Sequence, residues 1–440
     1  MDTLKSSSII TTILICVPSH NSPFTIHNHL CWPGIKFAIE PAKNYRMKCF
    51  ATIASFLWLC LGHASAQQEQ VKPLKIAVFS PIYVDSAFNG TEFNNSYTMA
   101  LPKTMLPGLE FYNGIMLAID SLQQEQVQVE VTIVDTKSNE PLKKQLSAPF
   151  WDSVSLIIAC FNSKNDIKEL ADFALLKNIP LLSPTYPSDG GVKANPFFVM
   201  LNPTLRTHLE GMYKYLQKNY SIGNMVYVTR KGGVETAIQN VFTELGKKTL
   251  VALKYKTVQL TDSFTITDLA KSLDSTRQNI VVCGVLNEDF GVRLAQQLNN
   301  SKKYRSVAIG MPTWDGLKAL NFTPSNAADK GIEVVYSTPY YFDRTGIAGK
   351  RITALYKEQF FARPSDWVFK GYESMYHFAH LLVKHRQDLI NNLSDPSFTL
   401  FNSYDVQPVK TTRDATVPDY LENKKLYFMK RVNGVLKSVN

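Results

Sequence analysis

From Leu74 onward the chain alternates strand-length apolar runs with helix-length amphipathic stretches, and the series runs through twice. LKIAVFS (Leu74 to Ser80) comes first. A helical pattern follows, in which Phe111, Ile115, Ala118 and Leu122 fall on one face. Then come VEVTIVD (Val129 to Asp135), a short helix from Pro141, SVSLIIAC (Ser153 to Cys160), a helix across Ile167 to Leu176, and IPLLSP (Ile179 to Pro184). The second series opens with FFVML (Phe197 to Leu201), and Asn202-Pro203 is expected to start the next helix. It continues with NMVYVTR, LVALKYK (Leu250 to Lys256), NIVVCGV and SVAIG as strands, separated by helical patterns. Near-continuous apolar runs suit parallel strands buried on both faces and joined by helical crossovers. The expected class is α/β, with two doubly wound Rossmann-like units in succession. A further strand (GIEVVYSTP), two helices from Ile347 and Asp366, and a mixed tail follow; the tail ends in a hairpin turning at Asn433-Gly434.

Upstream, Met47 to Gln67 reads MKCFATIASFLWLCLGHASAQ. A lysine, an apolar run from Phe50 to Leu61 and the Ala64-Ser65-Ala66 triplet form the three parts of a secretory signal. The apolar run is too short to cross a hydrocarbon layer of ~30 Å. Residues 47–66 are therefore read as a signal peptide cut after Ala66, and residues 1–46 as an over-extended start with no fold. Trp58 and Leu59 are too bulky before Cys60 for a lipid-anchor signal, so an exported protein without an anchor is expected. Cys16, Cys31, Cys49 and Cys60 leave with the leader; Cys160 and Cys283 each end an apolar run and are expected as free thiols. The 47 basic residues outnumber the 37 acidic ones but are scattered, which argues against nucleic-acid binding. No later apolar run is long enough to span a membrane.

Taken together and in order, several segments resemble the type I periplasmic binding proteins, in the branch that includes the leucine/isoleucine/valine-binding receptors of ABC transporters. KIAVFSPIY is similar to that family's opening strand and ligand loop. LPGLEFYNGIMLAIDSL resembles its first helix, VEVTIVDTKSNEP its second strand, ACFNSKND its loop after the third strand, and IPLLSPTYPS the following strand and loop. WVFKGYESMYHFAHLL resembles the late helix. The likeness covers roughly Leu74 to Lys437, with Tyr83 to Pro107 as an insertion. It implies two lobes joined by a three-strand hinge, with crossings near Leu201-Pro203, Thr338-Tyr340 and Phe398-Phe401. Lobe one would then comprise 73–201 plus 340–398, and lobe two 202–339 plus 399–440. A small ligand, an amino acid or related polar solute, would be captured between the lobes of a periplasmic monomer for an ABC-type permease or membrane sensor. The alternative is a regulatory interaction protein of the same fold acting on cell-envelope synthesis.

The cleft would be lined by loops at the carboxyl ends of strands. In lobe one these carry Tyr83, Asn162, Ser163, Thr185 and Tyr186. The resemblance makes the loops at Asn162-Ser163 and Thr185-Tyr186 donors to a ligand carboxylate; Ser163 could equally cap the next helix. In lobe two they carry Arg230, Asn287, Thr313 and Trp314. Arg230, with Lys231, could hold an acidic ligand or sit solvated at the surface. Trp314 could stack on a ligand or pack in the core. Amino-acid-binding members carry a carboxylate near Thr313; here the nearest is Asp315. Glu373, His377 and His380 share one helical face, a spacing compatible with zinc, but their aromatic neighbours favour packing. Phosphate-loop and nucleophile-elbow patterns are absent, so neither enzyme chemistry nor a cofactor or metal is expected.

Overall fold

The computed structural model describes residues 11–14, 73–89, 92–94, 101–323, 331–412 and 414–439. The signal segment 47–66, residues 1–46 other than 11–14, and the four leader cysteines lie outside the described residues. The strands, in chain order, are β1 (Thr11–Leu14), β2 (Leu74–Ser80), β3 (Phe88–Asn89), β4 (Glu92–Phe93), β5 (Val129–Asp135), β6 (Val154–Ala159), β7 (Leu181–Ser183), β8 (Phe198–Met200), β9 (Asn224–Thr229), β10 (Lys256–Gln259), β11 (Asn279–Cys283), β12 (Ser306–Ile309), β13 (Glu333–Thr338), β14 (Val406–Val409), β15 (Tyr420–Asn423), β16 (Tyr427–Val432) and β17 (Val435–Ser438). The longer helices are α1 (Leu106–Gln124), α2 (Lys164–Lys177), α3 (Leu205–Asn219), α4 (Gly233–Lys248), α5 (Glu288–Asn300), α6 (Ile347–Phe360) and α7 (Asp366–His385).

One sheet has the order β1-β5-β2-β6-β7-β8-β15-β14, the other β10-β9-β11-β12-β13-β16-β17. The first is parallel from β5 to β15, with antiparallel β1 and β14 at its edges. The second is parallel from β10 to β13 and ends in the antiparallel β16–β17 hairpin, whose turn residues Asn433 and Gly434 both have positive φ. β3 and β4 form a separate small hairpin in the insertion after Tyr83.

Each sheet is covered on both faces, which is why its strands read as continuous apolar runs. On the first, α1, α6 and α7 bury one face around Val78, Phe111 and Phe369, while α2 and Trp151 bury the other. On the second, α5 covers one face and α3 with α4 the other. Helices α1 and α7 cross at two glycines. A Cβ on Gly114 would lie 2.1 Å from the Val368 carbonyl oxygen, and one on Gly371 would lie 2.1 Å from that of Phe111. These glycines belong to the FYNG and FKGY segments, so part of the family-like pattern is a requirement for close backbone approach.

Three boundaries differ from expectation. β10 begins at Lys256, whereas Leu250 and Val251 are exposed; α4 runs to Lys248, and the chain must first return to the sheet edge, with Leu253 and Tyr255 packing on the flanking cluster as it does so. Thr204, not Asn202, is the N-cap of α3. The tail divides later than Phe398-Phe401: β14 and β15 extend the first sheet because Leu421 and Glu422 pair with Val199 and Met200 of β8. Residues 399–423 therefore lie with the first lobe, and the third crossing falls between Asn423 and Tyr427.

Cys160 and Cys283 are both free and buried, in different sheets, and burial pushes both thiols up to about 12. In a chain beginning at Gln67, alkylation without reductant should label neither thiol in the folded protein and both after denaturation. A disulfide would show as no label in the denatured, unreduced sample.

Candidate functional site

In the first lobe, Asp135 at the end of β5 fixes the loop after β2. Its carboxylate accepts from the backbone N–H of Ile82 (3.0 Å), Val84 (2.8 Å) and Lys137 (2.9 Å). Tyr83, held in this loop at φ 64°, accepts a hydrogen bond on its hydroxyl from Asn162 Nδ2 at 3.2 Å. The structure thus brings together two expected residues that are far apart in sequence. Ser163 caps α2, accepting from Asn165 N–H at 3.2 Å. Thr185 is buried, and its Oγ1 accepts from Phe161 N–H at 3.1 Å, so it first serves to fix the loop after β6. Tyr186 is half-buried against the core on the α2 side.

In the second lobe, Thr313 Oγ1 donates to the Leu286 carbonyl at 3.0 Å and so joins the loops after β11 and β12. Asn287 caps α5, accepting from Phe290 N–H at 2.8 Å. Arg230 is committed within its own lobe: Nε lies 2.7 Å from Glu235 and Nη1 2.8 Å from Asp262. Holding an acidic ligand would require breaking these pairs. Trp314 corrects the stacking expectation. It is fully buried in the core beside α5, where a Cβ on Gly310 would lie 2.0 Å from its Cδ2 and one on Gly291 2.3 Å from its Nε1. With no exposed surface, it has no face to offer a solute.

The three crossings are tied together by buried polar side chains. Glu422 accepts from Thr204 N–H (2.6 Å), Thr204 Oγ1 (2.8 Å) and Thr207 Oγ1 (2.9 Å), and pairs with Lys424. Asn423 Nδ2 donates to the Leu201 carbonyl at 3.2 Å. These bonds join the first crossing to the third. At the second, Tyr341 N–H donates to Asn402 Oδ1 at 2.8 Å, and Tyr340 Oη donates to the Pro184 carbonyl at 2.7 Å. Glu373 in turn accepts from Phe401 N–H, Asn402 N–H and Asn402 Nδ2 at 2.9, 2.8 and 2.6 Å.

The arrangement is that of two parallel sheets linked three times, with strand-end loops carrying the polar groups. Three solved structures share it. A provisionally named branched-chain amino acid ABC transporter from Rhodospirillum rubrum matches with TM-score 0.58 and 12% identity, covering 83% of this chain and 100% of that one. A branched-chain amino acid ABC transporter periplasmic ligand-binding protein from Burkholderia xenovorans matches with TM-score 0.54 and 11% identity, over 83% and 94%. An ABC transporter substrate-binding protein from Desulfitobacterium hafniense matches with TM-score 0.51 and 13% identity, over 83% and 100%. The fold is that of the type I periplasmic binding proteins. No protein-family model and no curated protein matches the sequence.

Within this periplasmic-binding fold the structure adds one group that sequence reasoning passed over, Lys370, and gives Asp315 its surroundings. Lys370, in the first turns of α7, is half-buried, with Nζ 5.0 Å from the Tyr340 ring centre and 4.9 Å from that of Trp367. Asp315, from the second lobe, accepts from Thr338 Oγ1 at 3.0 Å, and the same hydroxyl accepts from Tyr340 N–H at 3.3 Å. The two charges thus stand on either side of the second crossing. Asp315 reaches water but is crowded by protein, and the resulting desolvation raises its carboxyl above the usual range against the Thr338 hydrogen bond. Burial lowers the Lys370 ammonium, opposed by Asp366 and Asp315. The available sequence signal was a lone lysine among Trp367, Val368, Phe369, Gly371 and Tyr372. The zinc spacing on α7 has a different use. Glu373 faces the hinge, His377 is buried on Phe378 and Tyr404, and His380 Nε2 lies 3.0 Å from Glu125. No metal-binding group of three is present among the described residues. A cavity of about 490 Å³ beside the third crossing, lined by Lys214, Tyr215, Lys424 and Phe428 among others, shares no residue with the strand-end loops named above.

Proposed function

We propose that this is an exported solute-binding protein that captures a small polar solute of the amino-acid class between its lobes and delivers it to an ABC-type permease or membrane sensor. The observation that carries the reading is the position of the three crossings, which leaves the strand-end loops of both sheets free to meet across a hinge. Such a hinge lets the lobes close on a ligand, and binding energy then shifts the population toward the closed form. Tyr83, Asn162 and the Ser163 loop on one side, and Asn287, Thr313 and Asp315 on the other, are the proposed lining. Arg230 and Tyr186 stand at the margin, and Thr185 acts by shaping its loop.

Binding rather than catalysis fits this lining, since the nucleophile and acid–base groupings of an enzyme are not what the loops present. The similar structures named for branched-chain amino acid transport support the amino-acid class. No helix among the described residues is long and apolar enough to cross a membrane.

A thermal-shift screen of the chain from Gln67 against amino acids, organic acids, sugars and peptides tests the reading. A true ligand at about a hundred times its dissociation constant should stabilise the fold by about 2.7 kcal/mol. Failure of every class to move the transition would remove the solute-binding reading in favour of an interaction protein of the same fold.

A further inference from the structure

The strand-end loops and their surroundings hold few ionised groups free to meet a ligand. Arg230 is paired to Glu235 and Asp262. Asp366, one turn before Lys370, is taken by Arg344 at 2.5 Å. Asp315 accepts the Thr338 hydroxyl. Lys370 makes no ion pair within 4.0 Å among the described residues. Its Nζ rests instead against two aromatic faces, Tyr340 and Trp367, which attract a cation weakly and leave its hydrogen-bond donors open.

The location is as telling as the missing partner. Trp367 and Lys370 are three residues apart on α7 and share a face. Tyr340 is pinned by its hydroxyl to the Pro184 carbonyl, just past the end of β7. Lys370 therefore stands at the carboxyl ends of the central strands of the first sheet, beside the second crossing and across from the second lobe's Asp315. A half-buried ammonium held there with no direct ion pair, only the longer-range pull of Asp366 and Asp315, keeps its donors available to an incoming anion.

We propose that Lys370 is the anion-anchoring residue of the cleft, and that the captured solute carries a carboxylate which pairs with its ammonium between the Tyr340 and Trp367 rings. This rests on the solute-binding reading above and narrows it: the ligand is selected first by a carboxylate and only then by its side chain. Asp315, opposite, disfavours a second negative group near the second lobe and suits an ammonium or a neutral donor. Solutes with one carboxylate, α-amino acids included, fit the pair of charges; sugars and amides do not use it.

The test compares acids with their amides, then removes the charge. Titration calorimetry and thermal shift are run with leucine, glutamine, glutamate and succinate, with leucinamide and glucose as solutes lacking the carboxylate, on the chain from Gln67 and on its Lys370→Met and Lys370→Gln variants. Leucine and glutamine are expected to bind the unaltered protein, glutamate and succinate more weakly because of their second carboxylate, and leucinamide far more weakly than leucine; either substitution should weaken leucine and glutamine roughly ten- to hundredfold. The melting temperature without ligand should be unchanged or higher, since no ion pair is lost. Equal binding of leucine and leucinamide overturns the proposal without needing a variant. So does undiminished carboxylate binding by either variant. If glucose binds and no carboxylate does, solute capture stands and the Lys370 assignment falls. If nothing in the panel binds, both fall.

Discussion

Trp314→Ala should lower stability by about 3–5 kcal/mol, the range for deleting a large aromatic from a packed core. The indole is fully buried, and the surrounding backbone is shaped to it: Gly310 and Gly291 lie against opposite parts of the ring with no room for a Cβ. Truncation would leave a void lined by two glycines, which have no side chains to move into it. Trp314→Phe should cost less. It keeps most of the contact and removes an indole N–H that has no hydrogen-bond partner. Chemical denaturation of both variants measures the difference. A Trp314→Ala protein that melts with the parent and loses solute binding would return the tryptophan to the cleft.

Trp314 also shows where sequence reading reached its limit. Its loop lies at the carboxyl end of β12, where ligand contacts are commonly found, and that placement alone suggested stacking. Which way a side chain leaves such a loop depends on what faces it. Here Gly291, on a different helix, supplies the space, and a glycine-to-tryptophan match across twenty-three residues cannot be read from local spacing. For Arg230, left open between a ligand role and a surface one, the deciding partner is likewise remote. The arginine's position is as expected, but Asp262, from the segment after β10, satisfies it.

The two parallel sheets were legible because burial on both faces leaves a local mark: apolar runs such as Ile76 to Phe79 and Val281 to Cys283. The third crossing was not. β14 reads VQPV and β15 YLEN, short and polar because β14 is an edge strand and Glu422 and Asn423 turn inward to bind the crossings. Hinge segments exchange hydrogen bonds with other segments instead of burying apolar stripes, so their partners are fixed by topology. Lys370 escaped notice for a similar reason. A single lysine on a helix is ordinarily a solvated one, and only the fold places it against Tyr340.

The same logic makes Glu373 the most consequential polar residue outside the lining. Glu373→Ala should destabilise by about 3–5 kcal/mol, because three donors in or beside the core, two of them backbone N–H groups, lose their acceptor carboxylate together. Glu373→Gln should cost less: its carbonyl oxygen can still accept from the Phe401 and Asn402 N–H groups, while its amide meets Asn402 Nδ2 as donor against donor. The charge state adds a pH signature. Burial pushes the Glu373 carboxyl up to about 7 against the pull of its three donors. An acid raised in the folded state binds its proton there at pH values where the unfolded chain has released it. Its contribution to stability is therefore fully present below the ordinary glutamate range and is lost as pH rises through about 7. Between those limits the parent should become less stable with rising pH, and Glu373→Gln, which cannot titrate, should show a flatter profile. Because Asn402 carries Tyr341 at the second crossing, the loosened variant should also expose the amides of residues 340–341 and 401–402 to faster hydrogen exchange. Exchange at those amides unchanged from the parent, with a stability loss below about 1 kcal/mol, would mean that Glu373 does not hold the hinge.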